Sequence, residues 1–218
     1  MIDDHRHRIL QAAARVYTQH GWRGATTRRI AEEAGVNEVT LFRHFGSKDA
    51  LLAQMMRELE AATAGMQLPP IPVTPEAELH GWMVAHHSET CARRPFIRQL
   101  MSDLETHPDL VGCATEGPNS ASNQLREYVG RLAQYGFIQA NGAVPEAEVE
   151  AAVTMLMGAL FADGMNRDVM PMMFTQTVDV SLQSYVRIFL RGIRAVSGPS
   201  GPTARTAAVV SSPTSISE

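Results

Sequence analysis

Residues 25–52 read ATTRRIAEEAGVNEVTLFRHFGSKDALL, and their spacing divides into three amphipathic helices, each preceded by a short polar residue. Thr26 and Thr27 open the first, which carries Ile30, Ala31 and Ala34 and stops at Gly35. Asn37 opens the second, which ends near Phe45 before Gly46 breaks the chain. Ser47 opens the third, with Leu51, Leu52, Met55, Met56 and Leu59 along one side as far as about Ala64. A glycine turn between two short helices lets the second helix stand off the body at the angle a major groove requires, and Gly35–Val36 supply that turn. Ile30, Val36, Leu41 and Phe45 form a small core, which leaves Asn37, Glu38, Val39, Thr40, Arg43 and His44 on the outer face. These types suit base edges: Asn reads adenine, Glu accepts from cytosine, and Val or the Thr methyl meets a thymine methyl. Thr27 and the pair Ser47–Lys48 stand at helix N-termini, where free backbone N–H groups hold phosphate. Arg28 and Arg29 lie beside the first of these and can reach a guanine edge or a second phosphate.

Working outward, the chain predicts an all-α fold, because apolar residues recur at three- and four-residue spacing and no alternating run is bounded by turn residues. A helix over Asp3–Gln19 precedes the quoted stretch, with Ile9, Ala13, Val16 and Tyr17 on one face and Gly21 closing it. Leu68–Pro75 holds four prolines in eight residues and reads as a connector. Beyond it, helices are expected over Glu76–Arg93, Phe96–Glu105, Asn119–Tyr135, Pro145–Gly164 and Phe174–Val196, punctuated by Pro95, Pro108, Pro145 and Pro171. The last 22 residues, Ser197–Glu218, hold 17 Ser, Thr, Pro, Gly or Ala and no aromatic, which predicts a disordered tail. The expected division is therefore a DNA-binding head with its connecting helix over 3–63, a helical domain over 64–196, assigned to effector binding and dimerisation by family resemblance and not by periodicity, and a tail over 197–218.

The net charge of −4 is unevenly placed. Residues 1–50 carry eight Lys/Arg against six Asp/Glu and four of the eight histidines, while residues 51–218 carry 11 against 17, a polarity that fits a DNA-facing head. Lys48 is the one lysine among 19 basic residues. No run of about 18 apolar residues exists for a membrane span, and the charged opening does not read as a signal peptide, so the expectation is a cytoplasmic protein. Cys91 and Cys113 lack a C-x-x-C spacing and are expected as reduced thiols.

The stretch at residues 25–52, with ILQAAARVYTQHGWRGATT at 9–27 before it, closely resembles the DNA-binding signature of the TetR family of bacterial regulators. The resemblance covers about sixty residues well and the rest only in plan. It implies a homodimer whose heads place their third helices in successive major grooves of a near-palindromic double-stranded operator, and a body that binds a small molecule. It implies phosphate contacts from Thr27, Thr40 and Lys48, base reading by Arg28 and Asn37–Thr40, and a DNA contact from His44. Phe42 stands where the family commonly has tyrosine, which removes a phenolic hydrogen bond to phosphate, and Val39 replaces a frequently small residue.

In the body, Val149, Val153, Leu156 and Leu160, and then Leu182, Tyr185, Val186 and Phe189, recur at helical spacing. They suit either a subunit core or a four-helix dimer bundle, and the resemblance favours the bundle. Trp82, His86, Phe96, Met101, Met155, Met157, Phe161 and Met165 are the residues suggested for an effector pocket, whose occupant would be hydrophobic or amphipathic. His80, His87 and Cys91 share one helical face beside His86, but three ligands on one helix seldom converge, so no metal and no cofactor are expected. The chain lacks G-x-G-x-x-G, P-loop, G-x-S-x-G and H-E-x-x-H motifs, which argues against an enzyme. A site assembled from His86, His87, Glu89 and Asp103 would escape such motifs. The remaining alternative is an architectural or co-regulatory DNA-binding protein without an effector.

Overall fold

Local sequence signals set where the helices begin and end. The computed structural model describes residues 2–61, 67–107, 110–138 and 144–195, without the side chains of 2–4, 60–61, 113–114 and 116. Among these residues there is no strand, only an isolated bridge between Ile138 and Ala195. The helices are α1 (Ile2–Gly24), α2 (Thr27–Ala34), α3 (Glu38–Phe45), α4 (Lys48–Ala61), α5 (Pro75–Ala92), α6 (Arg94–Leu104), α7 (Val111–Gln134), α8 (Glu146–Asn166) and α9 (Val178–Gly192). The expected tail, the end of α4 past residue 61, Pro108 and the Cys113 side chain lie outside the described residues.

Three helices depart most from the sequence expectation. α7 starts at Val111 and runs through Pro118, whose missing N–H forfeits one intrahelical bond without ending the helix. α9 starts at Val178, because Thr177 caps it by accepting from the Val180 N–H, and the preceding Pro171–Met173 is a single 3-10 turn. α1 continues in name to Gly24, but Gly21 (φ 64°, ψ −175°) interrupts it where the sequence placed its end.

Contacts group the chain into two units, Met1–Gly65 with Cys91–Asn119 and Met66–Thr90 with Ser120–Glu218. In the first, Ile9, Ala13, Val16 and Tyr17 of α1 pack on Ile30, Ala31, Leu41, Leu51, Leu52 and Met55. Phe96, Leu100 and Leu104 of α6 join this core, so α6 groups with the head although the sequence reading set it within the body.

The second unit buries Leu79 and Met83 of α5, Leu125, Tyr128 and Leu132 of α7, Val153, Leu156 and Leu160 of α8, and Leu182, Val186 and Phe189 of α9. Glu78 fastens the start of α5 by accepting from the Val73 and Thr74 N–H groups at 2.8 Å and from the Tyr128 hydroxyl. A fully buried carboxylate, Asp163, lies within this apolar surround. Arg167 holds it in a two-pronged pair at 2.7 and 2.6 Å. The Tyr185 hydroxyl donates at 3.2 Å, and His87 Nε2, 3.0 Å away, is the N–H donor of that pair because a carboxylate only accepts. Burial alone would raise the Asp163 pKa, but the hydrogen bonds and charges of Arg167 and His87 outweigh it and hold the carboxyl below its ordinary range. Arg167 also donates to Ser181 Oγ at 3.0 Å and to the Gln176 carbonyl at 2.5 Å, so one network ties α5, α8 and α9. Asp163→Ala removes the buried carboxylate on which Arg167, His87 and Tyr185 converge and should destabilise the protein by about 3–5 kcal/mol, measured as a lower urea midpoint.

Candidate nucleic-acid interface

Every end of the two-helix element is closed by its own sequence. Thr26 caps α2 by accepting from the Arg29 N–H at 3.3 Å. Gly35 leaves α2 in the left-handed region (φ 63°), where its N–H and that of Val36 return to the Glu32 and Ala31 carbonyls. The Arg8 guanidinium adds a bond to the Ala34 carbonyl at 2.6 Å. Asn37 Oδ1 then caps α3 from the Val39 N–H at 2.9 Å, and Ser47 Oγ caps α4 from the Ala50 N–H at 3.1 Å. Ile30 and Leu41 are wholly buried between these helices, with Val36 and Phe45 packed against them.

α3 thus presents a defined outer face. Asn37, Arg43, Val39 and Phe42 are exposed, the last two at 72% and 44%, an apolar display that a lone surface helix has no reason to make. Glu38 and Thr40 are half-buried beside them. Thr27 Oγ1 donates to Glu38 Oε1 at 2.5 Å, which ties the N-termini of α2 and α3 together and aims the carboxylate. Arg28 is four-fifths exposed and paired with Glu32 at 3.0 Å, a weak surface bond that a nucleic-acid partner can replace. Arg29 bonds the Gly24 carbonyl at 3.1 Å. His44 is half-buried, and its shielded Nε2 has no hydrogen-bond partner among the described residues.

Lys48, at the first turn of α4, donates to the Trp22 carbonyl and lies 5.3 Å from the Trp22 ring. Partial burial lowers its pKa, with Asp49 and Asp103 acting in the opposite sense. The carbonyl takes one of its three N–H donors and leaves the others for phosphate. Sequence reasoning missed the groups behind it. The Trp22 N–H donates to Asp103 Oδ2 at 2.9 Å, and the buried Tyr17 hydroxyl lies beside the same acid, its pKa driven up by burial and then by that carboxylate. Only the apolar spacing of α6 hinted that it packs here.

A protein with this head is a DNA reader, and sequence comparison names its kind. The model of the bacterial regulatory proteins of the tetR family matches residues 9–55. The HTH-type transcriptional repressor SCO4008 of Streptomyces coelicolor is 32% identical over 151 residues, 64% of this chain and 67% of that one. The chain belongs to the TetR family. This TetR-family member is also 28% identical to the transcriptional regulator YvkB of Bacillus subtilis over 148 residues, 65% of its own length and 75% of YvkB. Its fold is that of the regulator FadR of Bacillus subtilis, solved in complex with stearoyl-CoA, at a TM-score of 0.62 and 20% identity over 86% of this chain and 98% of that one. It is a helix-turn-helix transcriptional regulator.

The residues suggested for an effector pocket do not all share one surrounding. Trp82, Met157 and Met165 are buried or half-buried in the second unit, whereas Met155 (69%) and Phe161 (41%) face outward. Phe96 and Met101 belong to the first unit, Phe96 against Tyr17 with ring centroids 5.3 Å apart and Met101 half exposed. His86 stacks on Trp82 at 4.1 Å, and burial lowers its pKa to about 4, so it is neutral at physiological pH. Of the suggested dimer residues, Val153, Leu156, Leu160, Leu182, Val186 and Phe189 are buried within the single chain, and Val149 and Tyr185 pack against them. Among the described residues no three His, Cys, Asp or Glu side chains are grouped to hold a metal. His87 is engaged with Asp163, His80 lies 3.1 Å from Asp179, and Cys91 Sγ accepts from Arg94. Asp103 is occupied with Trp22, in a different unit from His86, His87 and Glu89. No described helix is long and apolar enough to cross a membrane.

Replacing Lys48 by Ala should weaken DNA binding equally across sequences and make log Kd against log salt shallower by about 0.9 per subunit, as loss of one phosphate contact requires. Arg28→Ala should instead relax preference at one position per half-site, by about 1–3 kcal/mol, in competition binding with base-substituted duplexes.

Proposed function

We propose that this regulator is a homodimeric repressor that leaves a near-palindromic operator when a small hydrophobic or amphipathic effector binds its body. The observation that carries the DNA half is the capped α2–Gly35–α3 unit, which holds Asn37–Thr40, Phe42 and Arg43 on one rigid outer face. Residues 3–63 contact DNA in this scheme, and 64–196 sense and dimerise. SCO4008 is a repressor by name, which supports the direction of regulation. The acyl-CoA bound by FadR supports an amphipathic effector, and the methionines and Trp82 of the second unit are adaptable surfaces for one. Regulation rather than catalysis is the role, since the matched relatives are transcriptional regulators.

Dimerisation falls to α8 and α9. Met155 and Phe161 on α8 and Val180 and Ile188 on α9 are exposed at 69, 41, 43 and 60%, more apolar surface than two solvated helices would present. A second copy covers them in this proposal, with Val153, Leu156, Leu182, Val186 and their neighbours supporting the seam from inside. Release of DNA requires the effector to bind one head spacing more tightly than the other, because equal affinity shifts nothing.

Selection of the purified protein on a randomised duplex pool at physiological salt should recover a near-palindrome. Weak, salt-sensitive binding without enrichment would favour the architectural alternative. Separately, Ile188→Glu should convert dimer to monomer in sedimentation while leaving helical circular dichroism intact. An unchanged dimer would move the seam elsewhere.

A further inference from the structure

The break in α1 is gripped from two directions. At Gly21 the backbone turns to φ 64°, and a Cβ there would meet Gln99 Nε2 at 2.6 Å, so α6 lies directly against the break. One residue on, the Trp22 N–H donates to Asp103 Oδ2 at 2.9 Å, and Gln99 Nε2 donates to that same oxygen at 3.2 Å. Asp103 is itself fixed, since its carbonyl closes the end of α6 by accepting from the His107 N–H at 2.8 Å and the Thr106 N–H at 3.0 Å. The His107 ring stacks on the Trp22 indole at 5.4 Å. On the other side, the Trp22 carbonyl accepts from Lys48, whose ammonium also rests over the indole. Trp22 is therefore a single residue spanned between a carboxylate on α6 and the lysine that opens α4.

We propose that Asp103 is a positioning residue for DNA binding: acting through the Trp22 backbone, it sets where the Lys48 ammonium stands and so preorganises a phosphate contact it does not itself make. The proposal rests on the assignment of Lys48 to phosphate. A lysine on a free four-carbon stem must be ordered when it binds, whereas one already seated on a carbonyl held in place forfeits less freedom. Direct repulsion between carboxylate and phosphate predicts the opposite sign. A carboxylate near a phosphate site repels DNA, so neutralising one that acted only by that repulsion would tighten binding. Positioning predicts that the same change weakens it.

The test is a double-mutant cycle on the full chain, with the duplex recovered by selection and Kd measured across a salt series for native protein, Lys48→Ala, Asp103→Asn, Asp103→Ala and the Asp103→Ala/Lys48→Ala pair. Asp103→Ala should weaken binding about as much as Lys48→Ala and flatten the salt slope by the same amount, about 0.9 per subunit. The pair should bind no more weakly than Lys48→Ala alone, because both remove one contact. Asp103→Asn should lose less, since a neutral amide oxygen accepts the Trp22 N–H more weakly than a carboxylate does. If circular dichroism shows that Asp103→Ala is unfolded, the isosteric asparagine variant decides by the sign of its change. Unchanged or tighter binding by the Asp103 variants, or an additive loss at native salt slope, overturns the proposal. Unchanged affinity and slope for Lys48→Ala overturns the phosphate assignment beneath it, and that result is visible without any Asp103 variant.

Discussion

Gly35 ends α2 with a left-handed backbone, and because its N–H and that of Val36 return to the Glu32 and Ala31 carbonyls, the chain reverses within two residues before Asn37 caps α3. A Cβ at that φ is strained, so the turn belongs to glycine. The reading head hangs on this reversal. The angle between α2 and α3 buries Ile30 and Leu41 in one core, lets the Thr27 hydroxyl reach Glu38, and turns Val39 and Phe42 outward against the usual preference of apolar side chains. An apolar residue held in water is a standing cost, and among the described residues of α1–α4 the large apolar side chains that carry it are Val39 and Phe42, both on α3.

The second unit is organised by a different force. Its apolar residues fill space without direction, and similar volumes could be filled with the helices slid along one another. Asp163 removes that freedom. Its carboxylate needs partners at defined angles, and Arg167 just past the end of α8, His87 on α5 and Tyr185 on α9 supply them. A buried ion pair adds little net stability over a hydrophobic equivalent, so its contribution here is register. The two halves of the chain share this logic: a few directional groups decide how a larger, indifferent apolar surface is placed.

How much was legible depends on the distance over which each signal acts. The caps at Thr26, Asn37 and Ser47 and the turn at Gly35 involve partners within four or five residues, and all were readable. Helical periodicity marked the inward faces of α8 and α9, but a face that wants burial does not say against what. Val153, Leu182 and their neighbours, suited equally to a dimer seam or a core, are buried within the single chain, while Met155 and Ile188 remain outside. Pro118 shows a local rule overridden, since the turns around it bury Ala121 and Leu125 well enough to carry one lost hydrogen bond.

By itself the sequence determined the all-α class, the helix-turn-helix head with the exposed face of its third helix, and membership of a regulator family, because each rests on propensities and short-range hydrogen bonds written in consecutive residues. Only the tertiary structure decided that α6 packs on the head, that Asp103 reaches the Trp22 N–H across 81 residues, and that Asp163 meets His87 across 76. An acid among helical residues has the same local signature whether it faces water or a buried donor. Its partner is chosen by how distant segments fold back on one another, and no window of consecutive residues contains that choice.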